Sequence, residues 1–145
     1  MQSTDNYYIR KQQSISDIPT DIVNLFIYGY GNSLNQLIFS QSFRVLKSIT
    51  VGKECFQHVR EFVINGLASL ESVKIGEKCF RIDEEERDDG VCRITNCPNL
   101  CQLEIGNSSF YDFKLFELFN VNSLQSIKFG YYCFEYAEEF SLKGE

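Results

Sequence analysis

The chain has no tryptophan, only two prolines, one methionine and one histidine, His58, in 145 residues. The lone histidine has no Ser or Cys arrangement around it that implies a catalytic triad. Glycines occur one per predicted bend, so no phosphate-cradling loop is present. No enzymatic activity and no cofactor are therefore expected. Basic residues are scarce as well. Fourteen Lys and Arg face 20 Asp and Glu, for a net charge of -6. A nucleic-acid-binding face needs a basic surplus, as does docking to an anionic membrane surface, so neither partner is expected. No stretch approaches the roughly 20 apolar residues of a membrane helix. The N-terminal MQSTDNYYIRKQQS lacks the apolar core of a signal peptide. Together with six cysteines, this points to an intracellular, reducing setting with free thiols.

What the chain does have is internal repetition, the first thing to seek in any sequence. VLKSITVGKECF (45–56), SLESVKIGEKCF (69–80), NLCQLEIGNSSF (99–110) and SLQSIKFGYYCF (123–134) share the pattern L-x-x-[IVL]-x-[IVF]-G-x-x-[CS]-F. Gly52 to Gly76 and Gly106 to Gly130 are steps of 24 residues; Gly76 to Gly106 is a step of 30. The six extra residues fall in the acidic stretch 83–90. A second half also recurs, as EFVING (61–66), VCRITN (91–96), LFELFN (115–120) and EFSLKG (139–144). NLFIYG (24–29) reads as an earlier second half, followed by a first-half unit, SLNQLIFSQSF (33–43), so the first repeat is expected to be short.

Both halves alternate apolar and polar with period two, which predicts strands. Leu70, Val73 and Ile75 should face inward with Ser72 and Lys74 outward; Phe62 and Ile64 should face inward with Glu61 and Val63 outward. Gly or Asn after each strand suits a bend with positive φ. The Cys-Phe pairs should plug the bends, with short 3₁₀ turns beside them. No long 3.6-residue period predicts a long helix. One unit cannot bury its own inner face, but stacked units can. Stacking predicts buried columns of Leu46, Leu70, Leu100 and Leu124 and of Phe56, Phe80, Phe110 and Phe134.

L-x-x-I-x-I-G-x-x-C-F followed by a second apolar strand resembles a leucine-rich repeat, and the I-G-x-x-[AC]-F step is similar to the BspA-like subclass. The resemblance covers residues 24 to 144. It implies a leucine-rich-repeat solenoid of the α/β horseshoe class, β-rich, with short parallel strands and few short helical turns. Residues 1–22 would form an irregular N-terminal segment or cap. Residues 23–145 would form four to five turns without a clear C-terminal cap. Gly52, Gly76, Gly106 and Gly130 stand where the family carries asparagine, which implies bends filled by backbone. The resemblance also implies a non-catalytic scaffold for protein–protein interaction. The alternative is a structural or self-associating piece of a longer array, joined through an open C-terminal end.

Several residues carry reactive or interacting groups. Cys55, Cys79 and Cys133 share one repeat position with Ser109, which reads as an interior column of small side chains. Cys92, Cys97 and Cys101 have spacings that do not suit zinc, and no metal site is expected. The acidic stretch Asp83 to Asp89 does not match a calcium loop and reads as a solvated insertion or a docking loop for a basic partner. Thr50, Lys74, Glu104 and Lys128 form an outward column of alternating sign. Ser48, Ser72, Gln102 and Ser126 form a small polar column, a candidate floor for a partner. Tyr131, Tyr132, Phe119 and Leu115 place large apolar groups at positions that are polar in most other copies, the pattern expected of an interface.

Overall fold

Alternation of β-branched and aromatic residues with polar ones produces eleven short strands among the described residues. In the computed structural model, described for residues 5–10, 15–28, 36–81, 90–135, 137 and 139–143, they are β1 (Asn6–Ile9), β2 (Asn24–Ile27), β3 (Gln36–Phe39), β4 (Ser48–Val51), β5 (Glu61–Asn65), β6 (Ser72–Ile75), β7 (Val91–Thr95), β8 (Gln102–Ile105), β9 (Leu115–Phe119), β10 (Ser126–Phe129) and β11 (Glu139–Lys143). All pair in parallel. One sheet runs β1-β2-β4-β6-β8-β10 and the other β3-β5-β7-β9-β11. From β2 onward the chain alternates between them, so each later strand lies beside its counterpart from the repeat before, while β1 and β2 are consecutive neighbours in the first sheet. This arrangement of two parallel sheets is compatible with a repeat solenoid. Interior strands show the expected burial: in β6 Val73 and Ile75 are buried and Lys74 exposed, and in β5 Phe62 and Ile64 are buried.

The N-terminal repeat departs from expectation. β2 pairs with β4, a first-half strand, in the register Asn24↔Ser48, and β3 pairs with β5, a second-half strand. NLFIYG is thus a first half and SLNQLIFSQSF carries a second half, the reverse of the sequence reading. The unit is not short: the step from β2 to β4 is 24 residues and from β3 to β5 is 25 (Gln36↔Glu61). The signal was hidden because Tyr28 stands where later repeats have glycine. Its ring fills the space a Cβ on Gly52 would need, with Cδ1 2.5 Å away. Within 1–22, expected to be irregular or a cap, Asn6–Ile9 is a strand that ends the first sheet. The only 3₁₀ turn among the described residues is Ile15–Asp17, not beside a Cys-Phe pair.

The bends explain the repeated glycine, and the reason is not positive φ. Among the described glycines only Gly66 has one, at 77°. A Cβ on Gly76 would lie 2.9 Å from the Gly52 carbonyl carbon and the Lys53 nitrogen; one on Gly106 would lie 2.7 Å from the Gly76 carbonyl carbon. Successive bends therefore touch backbone to backbone. The left-handed residues are Glu54, Lys78, Ser108 and Tyr132, with φ of 57–64°, and the phenylalanines two positions on, Phe56, Phe80, Phe110 and Phe134. Forward hydrogen bonding accompanies three of the first set, Glu54, Lys78 and Ser108. Gly52 N–H donates backward to Ile27 O (2.7 Å), whereas Glu54 N–H donates forward to Glu77 O (2.8 Å). Gly76 N–H likewise points back to Val51 O and Lys78 N–H forward to Asn107 O. The left-handed residue reverses the direction of the amide, so each bend bonds to both neighbours. In the other bend Gly66, Asn96 and Asn120 take positive φ, as glycine and asparagine there suggest.

Between the sheets, Phe56, Phe80, Phe110 and Phe134 are buried and stacked. Their centroids are 5.1, 4.5 and 5.0 Å apart and their planes within 22°. Phe62 and Phe116 tilt against this ladder from the second sheet. Leu46, Leu70 and Leu100 are fully buried, while Leu124, in the last repeat, is half-buried.

Two substitutions separate the contact reading of the glycines from the φ reading. Gly76→Ala should cost about 1–3 kcal/mol, because backbone rather than a yielding side chain meets the new Cβ. Lys78→Gly relieves left-handed strain of about 1–2 kcal/mol against a glycine entropy cost of about 0.5–1 kcal/mol, so it should be neutral or stabilising. Urea denaturation of both variants reads the two signs.

Candidate interaction surface

The outward face of the first sheet is organised by register. Its first column is Asn6, Asn24, Ser48, Ser72, Gln102 and Ser126, brought side by side by strand pairing. The four expected residues are therefore neighbours, and two asparagines that were not foreseen extend the column. Ser48 Oγ donates to Asn24 Oδ1 (2.6 Å), and Asn24 Nδ2 donates to Asn6 Oδ1 (2.9 Å). The second column is Tyr8, Phe26, Thr50, Lys74, Glu104 and Lys128. Lys74 and Lys128 flank Glu104 at 3.8 and 4.0 Å, all well exposed, so these pairs contribute little to stability. At the other end Tyr8 stacks on Phe26 at 4.8 Å, with the Arg10 guanidinium over Tyr8.

The third outward column is Gly76, Gly106 and Gly130. Lacking side chains, it leaves a shallow groove of about 490 Å³ across β4, β6, β8 and β10, walled by Lys74, Glu104 and Lys128. The groove is a consequence of stacking: the backbone contacts that exclude a Cβ also leave the surface low at that column. Tyr131 and Tyr132 follow Gly130 in the adjoining bend and are 77% and 63% exposed. Tyr131 N–H donates to Asn107 Oδ1, and Tyr132 lies beside Tyr111, over which Arg81 sits.

Phe119 and Leu115 belong elsewhere. Both are on β9 of the second sheet, half-buried, in register with Thr95 and Val91. Phe119 adjoins the bend entering β10, whereas the tyrosines lie in the bend leaving it. The four large residues thus do not form one patch. Phe119 does lie near an unforeseen ladder in which Asn96 Nδ2 donates to Asn65 Oδ1 and Asn120 Nδ2 to Asn96 Oδ1, each at 3.0 Å. The sequence signal for it was Asn96 and Asn120 at one position of the second half, with Asn65 one position earlier, in register with Thr95.

The small column plugs the first bend. Cys79 Sγ–H donates to Gly52 O (2.9 Å), Ser109 Oγ–H to Gly76 O (2.6 Å) and Cys133 Sγ–H to Gly106 O (3.0 Å). Serine can replace cysteine here because the position asks for a small donor aimed at the previous glycine carbonyl. All six cysteines are free thiols. A hydrogen bond with the Cys55 side chain, then burial, pushes the Cys79 thiol far above its ordinary value. Burial alone does so for Cys92, and burial raises Cys97 and Cys133. No group of three metal-ligating side chains occurs among the described residues. The acidic stretch Asp83 to Asp89 lies outside them. Compared with known proteins, the chain matches no family model, no curated protein and no solved structure.

The raised thiols have a defined pH consequence. An unfolded cysteine ionises near pH 8.5, whereas Cys92 stays protonated when folded, so the unfolded state alone sheds its proton as pH rises. For Cys92 the stabilisation is complete below about pH 8.5 and is lost above it, by about 1.4 kcal/mol per pH unit. Cys92→Val should reduce the fall in denaturation midpoint between about pH 8 and about pH 10. An unchanged pH slope would show that Cys92 ionises freely in the folded chain.

Proposed function

We propose that this chain is a non-catalytic leucine-rich-repeat scaffold, wound as a solenoid, that recognises a protein partner through the outward face of its first sheet. The observation that carries the reading is the alignment of three outward columns over successive strands: a polar one, a charged one, and a glycine groove with Tyr131 and Tyr132 beside it. Such a face offers hydrogen-bonding groups at regular spacing on a rigid support, with exposed tyrosines of the kind enriched at interface anchors. No cofactor or metal enters the reading, and the unionised buried thiols suit a reducing environment.

Capture from native lysate with identification by mass spectrometry tests it in variant pairs. Ser72→Arg with Gln102→Arg alters the proposed face; Arg93→Ser with Ile38→Ser alters the outer side of the second sheet. A captured protein lost by the first pair and retained by the second supports the reading. Captured proteins indifferent to the first pair contradict it.

A further inference from the structure

Asn65–Gly66 is the only Asn-Gly dipeptide in the chain, and it lies where β5 ends. Glycine has no side chain to hinder its own nitrogen from attacking the side-chain amide carbon of the asparagine before it. The other two members of the asparagine ladder, Asn96 and Asn120, are followed by Cys97 and Val121, whose side chains do hinder that approach. Asn65 and Gly66 are half-buried, so water reaches the bend. In the folded chain the next repeat holds both reacting groups. Gly66 N–H donates to Thr95 O (3.1 Å), while Thr95 Oγ1 (2.8 Å) and Asn96 Nδ2 (3.0 Å) donate to Asn65 Oδ1. Pairing of Asn65 with Thr95 also keeps the Asn65 backbone extended, whereas ring closure needs the Gly66 nitrogen to swing toward the side chain.

We propose that Asn65 is a site of spontaneous covalent modification whose rate is set by the repeat stacked on it. The Gly66 nitrogen attacks Asn65 Cγ and gives up its proton, ammonia leaves, and a five-membered succinimide remains. Water then opens the ring. The sum is one water consumed and one ammonia released, with no other reactant. Opening at Cγ yields aspartate; opening at the main-chain carbonyl yields isoaspartate. The two products differ in their fit. Both bonds to the Asn65 side chain end on Oδ1, so an aspartate carboxylate accepts them in place, more strongly for its charge. Isoaspartate runs the main chain through Cβ and Cγ, which lengthens the path from β5 to Gly66 and draws the Gly66 amide away from Thr95 O. Because the closed bend blocks ring formation, reaction proceeds from opened bends and tracks their population. The site thus records how often β5 and β7 part, independently of the outward face of the first sheet.

The full chain, incubated at neutral pH and followed by peptide mapping with mass spectrometry, tests this. In urea Asn65 should convert before any other asparagine, giving two separable products. In buffer its conversion should be slower by about tenfold or more. Thr95→Val removes one bond to Oδ1 and should speed conversion in buffer about 2- to 10-fold, the change in open population that one hydrogen bond brings, with the rate in urea unchanged. Asn96→Gly removes the other bond at an exposed position whose positive φ suits glycine, and it decides if Thr95→Val fails to fold. Asn65→Asp should leave the denaturation midpoint in place, and the isolated isoaspartate form should lower it. Equal rates in buffer and urea, another asparagine reacting first in urea, or folded variants that convert no faster than the parent in buffer would each overturn the proposal.

Discussion

Backbone contact between successive bends is the constraint on which the rest of the structure depends. With Gly76 against Gly52 and Gly106 against Gly76, the repeats approach closely enough for their strands to pair and for their phenyl rings to stack at 4.5–5.1 Å. A side chain at any of these glycines would wedge the layers apart. At Glu54, Lys78 and Ser108, two positions later, the left-handed residue's amide bonds to the next bend while the glycine's bonds to the previous repeat. The small donor in the Cys55 column completes the bend by taking up the glycine carbonyl of the previous repeat. One spacing thus fixes backbone conformation, core composition and the low groove on the outside.

The candidate surface inherits its order from this interior. Side chains on the first sheet come into line because their strands are in strict register, not because they attract each other. The charged column shows this: Lys74, Glu104 and Lys128 alternate in sign at distances that bring little energy. What the alignment gives is a rigid, regularly spaced display. The same logic distinguishes Tyr131 and Tyr132, which project from a bend beside the groove, from Phe119 and Leu115, which lie half-buried on the other sheet.

Much of this was legible in the sequence wherever a repeat position kept its residue type. The inward Val73 and Ile75, the phenylalanine and leucine columns, the plugging cysteines with Ser109 and the outward serines all follow from period two and a step of 24 residues. The first repeat was misread where Tyr28 replaced the marker glycine and an extra residue lengthened the next bend. The role of the glycines was misread as well. Close approach and positive φ both favour glycine, and a sequence does not distinguish them; only the position of Lys78 relative to Gly76 shows which residue is left-handed. Likewise Asn6 and Tyr8, whose strand is offset from its neighbour by 18 residues (Asn6↔Asn24), fall outside the periodic signal, so the extent of the outward face of the first sheet was hidden.

The central claim, that each repeat is held by the repeats on both sides of it, is tested most directly by comparing Phe80→Ala with Phe134→Ala in chemical denaturation. Phe80 stacks between Phe56 and Phe110, whereas Phe134 stacks on Phe110 in the last repeat. Phe80→Ala should cost about 3–5 kcal/mol through the cavity it opens, and Phe134→Ala clearly less. Equal losses, or a greater loss at Phe134, would contradict a fold stabilised by contact between neighbouring repeats.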